Sequence, residues 1–88
     1  MFCVYLLKSL KDKKYYIGQT INVHKRFNMH NSGKVISTKS RIPFILIGFK
    51  KFQSRGEARW FEYDVKHHSD KKNKFINMLE VQKKSEVS

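Results

Sequence analysis

The feature of this sequence that most limits its fold is a pair of apolar runs near the N-terminus. Residues 2–7 (FCVYLL) and residues 15–18 (YYIG) are rich in aromatic, aliphatic and β-branched side chains, which favours strands. The segment between them, residues 10–14, is short and mostly polar, so the two strands are predicted to form a hairpin. Since the chain has only 88 residues, we expect one small domain with a single thin core.

A helix and a third strand are predicted to follow the hairpin. Thr20 or Asn22 can cap a helix over residues 23–31, and Gly33 suits the left-handed position that ends it. The run FILIGF at residues 44–49 is apolar on both faces, which predicts a central strand.

Two further helices complete the predicted fold. Ser54 caps a helix that runs to about His67, and a last helix starts at residue 69 or 70. Their inward-facing residues are expected to be Ala58, Trp60, Phe61, Val65, Phe75, Ile76 and Leu79. The order β-β-α-β-α-α predicts an α+β fold, in which helices flank a small antiparallel sheet. The domain is expected to span residues 1–82, and residues 83–88 to form a polar, frayed tail.

Charge is distributed unevenly along the chain. The net charge is +12, and residues 13–55 contain ten basic side chains but no acidic one, some of them in a basic, Ser/Thr-rich loop at residues 34–41. An excess of positive charge favours binding to a polyanion, such as DNA, RNA or an anionic membrane. The simpler alternative is a protein that its charge keeps soluble. Because the apolar stripes are needed for the core, a membrane is the weakest of these candidates.

Simple counts exclude other classes of protein. The single cysteine, Cys3, cannot form an intramolecular disulfide or a multi-cysteine zinc site. No apolar run approaches the length of a membrane span, and the N-terminal residues lack the pattern of a signal peptide. We therefore expect a cytoplasmic, nucleoid-associated monomer, or a nuclear protein if the source is eukaryotic or viral.

Five side chains could together act on a phosphodiester. Tyr5 and Tyr16 lie on paired strands, so their rings can open on one face of the sheet. Arg26 and His30, four residues apart, share one face of the first helix, and Glu62 lies on a later helix. A guanidinium can hold a phosphate, a carboxylate can hold one hydrated divalent cation, and a phenol or imidazole can accept a proton. Each of the five also has an ordinary structural role, and Glu62 could simply pair with Arg59 or Lys66 as a surface charge. These residues alone therefore leave both a nucleic-acid-binding protein and a nuclease open.

The motifs of the chain resemble those of the GIY-YIG endonuclease superfamily, in particular its small single-domain bacterial branch (UPF0213-like). Ten residues separate Tyr5 from Tyr16, which is the spacing of the half-motifs Cys3-Val4-Tyr5 and Tyr16-Ile17-Gly18. The further matching positions are Arg26 and His30 of an Arg-x-x-x-His helix, the runs His30–Gly33 and Ser37–Lys39, then Arg41, Pro43, Glu57, Ala58 and Phe61–Tyr63. The likeness covers nearly the whole chain.

This resemblance implies a three-stranded antiparallel sheet and a metal-dependent endonuclease. One Mg²⁺ or Mn²⁺ ion would bind Glu62, and Arg26 would steady the scissile phosphate. Tyr16 would act as the base that activates water, while Tyr5 would orient the phosphate or the water. His30 would hydrogen-bond the phosphate or Tyr16 and assist proton transfer.

A few positions depart from the pattern of the family. Cys3 replaces the first glycine, and Gln19 stands where some repair relatives carry a lysine near the base. Asn73 and Asn77 are only candidates for an asparagine that some relatives place late in the domain. Gly18 fits the pattern, and a glycine at the end of a strand lets backbone or ligand approach closely.

The basic residues outside the site are predicted to position nucleic acid through phosphate contacts, which carry no information on base sequence. They are Lys34, Lys39, Arg41, Lys50, Lys51 and Arg55. The sequence thus predicts an endonuclease that recognises DNA structure or single strands, with DNA favoured over RNA. The alternatives are a nucleic-acid-binding module that does not cut, and a subunit that is active only with a protein partner. His67 and His68 are expected to lie on the surface.

Overall fold

The elements of the chain follow the predicted order. A computed structural model describes residues 1–87, and the side chains of residues 1–84. Its strands are β1 (Phe2–Ser9), β2 (Tyr15–Thr20) and β3 (Phe44–Phe52), and its α-helices are α1 (Val23–Asn31), α2 (Arg55–His67) and α3 (Ser69–Val87). The order β-β-α-β-α-α and the α+β class are confirmed. A 3₁₀ helix, Ile36–Arg41, occupies most of the segment that was predicted to be a basic loop.

The strand order differs from the prediction at one point. Within residues 1–87 the strands form one antiparallel sheet in the order β2-β1-β3, so β1 is central and the prediction of a central β3 is wrong. Residues 3–7 of β1 are all buried, as expected for a strand with neighbours on both sides. β3 instead ends in the exposed Lys50 and Lys51. Its first half is apolar because α1 and α3 pack on it.

The core is divided between the two faces of the sheet. Alternate residues of β1 point to opposite faces, so Val4 and Leu6 belong to one apolar cluster, and Cys3, Tyr5 and Leu7 to another. The first cluster is closed by α2 and α3 through Ala58, Val65, Phe75, Ile76 and Leu79. The second is closed by α1 through Val23 and partly buried Phe27.

The predicted interior of the last two helices is confirmed except at Trp60. Its side chain is 66% exposed, although it was predicted to add bulk to the core. Two residues along an α-helix correspond to a rotation of about 200°, so a residue two positions after the buried Ala58 faces solvent. The exposed indole is therefore available on the surface.

The helix ends confirm the predicted caps. Asn22, rather than Thr20, caps α1, since its side-chain oxygen accepts a hydrogen bond from the Lys25 N–H at 3.0 Å. Gly33 has a φ of 78°, which is the left-handed conformation that ends a helix. Ser54 accepts a hydrogen bond from the N–H three residues further along α2.

The C-terminal helix extends into the segment predicted as a tail. α3 runs to Val87, and the Lys83 ammonium donates to the carbonyl of Leu46 at 3.1 Å. The last predicted tail residue, Ser88, lies outside the described residues, and the domain limit at residue 82 stays a prediction. None of the described helices combines the length and the apolar character needed to cross a membrane.

A reciprocal pair of hydrogen bonds fastens the end of α1 to the start of β3. The Asn31 amide donates to the carbonyl of Phe44 at 2.9 Å, and the Phe44 N–H donates to the Asn31 amide oxygen at 2.7 Å. Since Phe44 is buried, water cannot easily replace these bonds. The pair fixes α1, and with it the following 3₁₀ helix, against the sheet.

We expect Asn31→Ala to lower the free energy of unfolding by about 1–3 kcal/mol, because two buried backbone groups of Phe44 lose their partners. Urea denaturation followed by circular dichroism measures the loss. Asn28→Ala, on the exposed side of the same helix, is the matched control and is expected to change stability by less than about 0.5 kcal/mol. Equal losses of stability in the two variants would contradict the stabilising role of the Asn31–Phe44 hydrogen bonds.

Candidate functional site

Three aromatic rings predicted to share a site converge on the α1 side of the sheet. The ring centroids of Tyr5 and Tyr16 are 6.3 Å apart, and those of Tyr16 and His30 are 5.0 Å apart. Tyr5 is paired across the hairpin with Gly18, and Tyr16 with Leu7, so the two tyrosines lie two residues apart in register on the same face. The hairpin thus brings together both phenols, and α1 adds the imidazole.

Gly18 makes room for the Tyr5 ring. A Cβ atom built at Gly18 would lie 2.6 Å from Tyr5 Cζ, which is closer than such atoms approach in proteins. The close approach that the sequence predicted at this glycine is therefore made by a side chain of the protein itself. Glycine at this position allows the ring to lie flat over β2 and to reach His30.

A chain of buried hydrogen bonds runs from Tyr5 through His30 to Thr38. The Tyr5 hydroxyl and His30 Nε2 are 2.9 Å apart, and His30 Nδ1 and Thr38 Oγ1 are 2.8 Å apart. Thr38 in turn donates to the carbonyl of Val35 at 3.4 Å. These directions agree if His30 carries its proton on Nδ1, so that Tyr5 donates to Nε2 and Thr38 accepts from Nδ1.

The hydrogen-bond partners of His30 are not those expected. Its side chain is 0% exposed, and both ring nitrogens are engaged by Tyr5 and Thr38. It therefore contacts Tyr16 through the edge of its ring and not by a hydrogen bond. His30 orients Tyr5, and the buried Thr38, which was not a predicted site residue, orients His30. The only signal in the sequence was the Ser37–Lys39 run that resembles the family.

Burial sets the protonation states of this chain. It raises the pKa of Tyr5 to about 12, although the neighbouring Arg26 guanidinium lowers it. Burial, followed by the charge of Arg26, lowers the pKa of His30 to about 4. Tyr5 is thus a neutral hydrogen-bond donor and His30 a neutral acceptor at physiological pH. Arg26 lies one helical turn before His30, partly exposed, with its charge acting on both groups.

Glu62 approaches the same rings from α2. Its charge makes a small contribution to the raised pKa of Tyr5. The Gln19 amide donates to Glu62 Oε1 at 2.8 Å, and the Lys66 ammonium donates to Oε2 at 2.7 Å. Lys66 Nζ also lies 5.9 Å from the centre of the Tyr16 ring. Lys66 therefore lies between Glu62 and the Tyr16 ring, and Gln19 of β2 holds the other carboxylate oxygen of Glu62.

The donors available for a metal ion are limited. No group of three or more His, Cys, Asp or Glu side chains that could hold an ion occurs among the described residues. A divalent cation bound here would thus have Glu62 as its one carboxylate and water for its other ligands, a pattern that suits Mg²⁺. The Lys66 side chain that pairs with Glu62 is 42% exposed, so it can move aside. The donor set fits a single hydrated cation.

Arg41 has a structural role that competes with its predicted contact to phosphate. Its guanidinium donates to Asp12 at 2.7 Å and lies 5.5 Å from the centre of the Phe44 ring. The hydrogen bond from Arg41 is the main reason why the pKa of Asp12 falls to about 2. Arg41 therefore joins the hairpin turn to the 3₁₀ helix. The other predicted phosphate contacts, which are Lys34, Lys39, Lys50, Lys51 and Arg55, are exposed.

Two weaker candidates lie away from the site. Asn73 and Asn77 line a separate surface hollow with Tyr15 and Arg41. Tyr15 belongs to the opposite face of the sheet, where its hydroxyl donates to Glu80 at 2.6 Å. Neither asparagine contacts the aromatic rings described above.

Comparison with known proteins identifies the class of this domain. Residues 1–76 match the family described as the GIY-YIG catalytic domain. The chain therefore belongs to the GIY-YIG family, whose domains are of the nuclease type. The resemblance drawn from the two half-motifs is confirmed.

The relatives found are small proteins named UPF0213. The chain is 42% identical over 77 residues to a UPF0213 protein of Halalkalibacterium halodurans, a match that covers 86% of this chain and 81% of the relative. A UPF0213 protein of Staphylococcus haemolyticus is 42% identical over 67 residues, covering 75% and 80%. The solution NMR structure of a UPF0213 protein from Bacillus halodurans has a TM-score of 0.55 and 40% identity, over 90% of this chain and 85% of that one.

We expect Gly18→Ala to displace the Tyr5 ring and break its bond to His30, with a loss of about 1–3 kcal/mol in the free energy of unfolding. Urea denaturation measures the loss, and near-ultraviolet circular dichroism reports the tyrosine environment. Gly56→Ala on α2 is the control. Its new Cβ would meet only Ser54 Oγ at 4.0 Å, so stability should stay constant or rise. Unchanged stability in both variants would show that the Tyr5 ring adapts without cost.

The lowered pKa of His30 predicts a specific dependence of stability on pH. His30 binds a proton less well in the folded protein than in the unfolded chain. Neutral His30 therefore makes its full contribution to the free energy of unfolding above the ordinary pKa of 6.5, and this contribution declines as pH falls toward 4. The contribution is at most about 3 kcal/mol. We expect wild type to lose more stability than His30→Gln between about pH 7 and pH 4, measured by urea denaturation.

The comparison isolates His30 because His24, His67 and His68 are exposed and present in both proteins. Asp12, the carboxylate whose pKa is lowered, titrates below this range and is also common to both. Parallel stability curves for the two proteins across this pH range would contradict the assignment of a neutral buried imidazole.

Proposed function

We propose that this protein is a metal-dependent endonuclease that hydrolyses phosphodiester bonds in DNA. It would recognise the structure of its substrate, such as a single strand or a branch, with little preference for base sequence. The observation that supports this proposal is the packing of Tyr5, Tyr16 and His30 against one another, with Lys66 between the Tyr16 ring and Glu62. Phosphodiester hydrolysis requires charge stabilisation and a proton acceptor, and these groups supply both.

In this proposal each side chain has a distinct role. Arg26 binds the scissile phosphate with its guanidinium. Tyr16, as phenolate, takes a proton from the attacking water, whose oxygen bonds to phosphorus as the bond to the leaving oxygen breaks. Tyr5 keeps its proton, which points at His30 in a hydrogen bond, so a lone pair of the Tyr5 oxygen can accept a hydrogen bond from that water.

The proposal includes one Mg²⁺ or Mn²⁺ ion held by Glu62. A bound ion would supply positive charge beside the phosphate and lower the barrier to attack. Gln19 supports this role because its amide fixes one carboxylate oxygen of Glu62. The Lys66 ammonium, on the other oxygen, supplies a positive charge at Glu62 that the ion would replace.

The surface of the protein supports a nucleic acid substrate without a base-reading element. The net charge is +12, and the exposed lysines and Arg55 can contact phosphates. Such contacts bind any sequence, so selectivity would come from the shape and flexibility of the strand.

One observation favours a second candidate, a nucleic-acid-binding module that does not cut. Both oxygens of Glu62 are engaged by Gln19 and Lys66, as they would be in a purely structural ion pair. Such a module would bind DNA with strong salt dependence and would show no cleavage with any divalent ion.

We expect Glu62→Gln to reduce nicking of DNA on the order of 100-fold, because the variant loses the charge that holds the ion. The assay compares supercoiled plasmid, single-stranded DNA, branched DNA and RNA, each with Mg²⁺ or Mn²⁺. Glu57→Gln is the matched control, since it removes the same charge from an exposed position on the same helix and should leave activity unchanged.

The outcomes separate the two candidates. Cleavage that depends on Glu62 and on the ion supports the endonuclease. Equal cleavage by wild type and Glu62→Gln would point to a contaminant or to a wrong metal ligand. Salt-dependent binding with no cleavage of any substrate would favour the binding module.

A further inference from the structure

Three rings on α2 form a stack on the surface of the protein. Trp60 and Tyr63 have ring centroids 5.9 Å apart at an angle of 19°, and Tyr63 and His67 have centroids 4.0 Å apart at an angle of 23°. We refer to these three residues as the α2 ring stack. The Trp60 side chain is 66% exposed and that of Tyr63 is 53% exposed, so much of their apolar surface contacts water.

The ring stack belongs to neither core cluster. α2 packs on the sheet through Ala58, Val65 and partly buried Phe61, which lie on a different side of the helix. His67 Nδ1 donates to the carbonyl of Tyr63 at 2.8 Å, which fixes the imidazole against the Tyr63 ring. The stack is thus held in place without contributing to the interior. Large exposed apolar surfaces of this kind commonly mark binding sites.

Arg59 links the ring stack to the candidate active site. It lies four residues before Tyr63 on α2 and lines two hollows, one with Trp60 and Tyr63 and one with Gln19, whose amide donates to Glu62. The first hollow is shallow and runs along the surface of α2. A ligand that reaches Glu62 along α2 would therefore pass over exposed rings next to a guanidinium.

The charges around the ring stack favour an anionic ligand. Arg55 and Arg59 are exposed near the start of α2. Two of the carboxylates of the helix are already paired, Glu62 with Lys66 at 2.7 Å and Asp64 with Lys71 at 2.9 Å. Alternation of rings with cations is the arrangement that proteins use to bind single strands, where bases stack on the rings and phosphates contact the cations.

We propose that the α2 ring stack is a platform for unpaired bases of a nucleic acid strand that extends into the active site. This inference rests on the proposed function and names its substrate class as a single-stranded segment. The bases of a duplex are stacked on each other, so they leave no free face for Trp60 or Tyr63. Arg59 would contact the phosphate between the stacked bases and the scissile position.

Trp60 is the only tryptophan of the chain, so its fluorescence reports on the ring stack directly. We expect the fluorescence of the wild-type protein in EDTA to be quenched by a deoxythymidine oligonucleotide of about 12 nucleotides, since bases that stack on an indole quench it. A duplex of the same length should quench much less. This measurement requires no substitution and no cleavage.

Two substitutions test the energetic contribution of the rings. Trp60→Ala and Tyr63→Leu are expected to weaken binding of the single strand on the order of tenfold each, and binding of the duplex by less than about twofold. Both side chains are exposed, so the variants should fold, which circular dichroism verifies. Ile36→Ala is the control, because Ile36 is 90% exposed on the 3₁₀ helix and lies outside the ring stack. It should leave both affinities unchanged.

Three results would overturn the inference. The first is unchanged Trp60 fluorescence when the protein is saturated with single strand. The second is an equal loss of affinity for single strand and duplex in the ring variants. The third is a wild-type dimer that becomes a monomer in Trp60→Ala, which would make the ring stack an interface between copies of the chain.

Nicking by the wild-type protein with Mg²⁺ or Mn²⁺ is measured separately. Nicking without quenching of Trp60 fluorescence by the single strand would contradict the proposed role of the ring stack but support the endonuclease. Quenching without nicking would support the ring stack as a strand-binding surface and count against the proposed endonuclease.

Discussion

The contact between the Tyr5 ring and Gly18 is the interaction on which the rest of the structure depends. Tyr5 belongs to the central strand, lies over β2 at Gly18, and bonds to His30 of α1. Through His30 it also fixes Thr38 of the 3₁₀ helix. One phenol therefore joins four elements of the fold. Every buried side-chain nitrogen and oxygen among the described residues has a hydrogen-bond partner, so this polar chain does not carry the cost of an unsatisfied group.

Local patterns predicted most of the secondary structure, because hairpins and helix caps depend on residues close in sequence. The turn between β1 and β2, the Asn22 cap and the left-handed Gly33 are all of this kind. The position of β3 at the edge of the sheet could not be predicted in the same way. An apolar strand covered by helices has the same composition as a strand between two others, so only the tertiary packing distinguishes them. Trp60 shows the same limit, since bulk alone does not determine which side of a helix is buried.

The identities of the candidate site residues came from the motifs and the family resemblance, and their chemical roles stay predictions. Two residues that orient them were not predicted. Thr38 and Gln19 were found only through their contacts with His30 and Glu62, because hydroxyl and amide groups occur throughout any polar surface. The pair of Glu62 with Lys66 could be predicted, since residues four apart on a helix are neighbours. Arg41 illustrates the converse, since a basic residue in an acid-free stretch proved to be paired with the one acidic side chain that precedes it.

The connection between Gln19 and Glu62 spans 43 residues, whereas both tyrosines belong to one hairpin at the beginning of the chain. Closing the hairpin requires only a short loop, whereas the contact of α2 with the hairpin closes a loop that contains α1, the 3₁₀ helix and β3. Both phenols and the imidazole are therefore synthesised before the carboxylate. A chain that ended after β3 would contain Tyr5, Tyr16 and His30 but would lack Glu62.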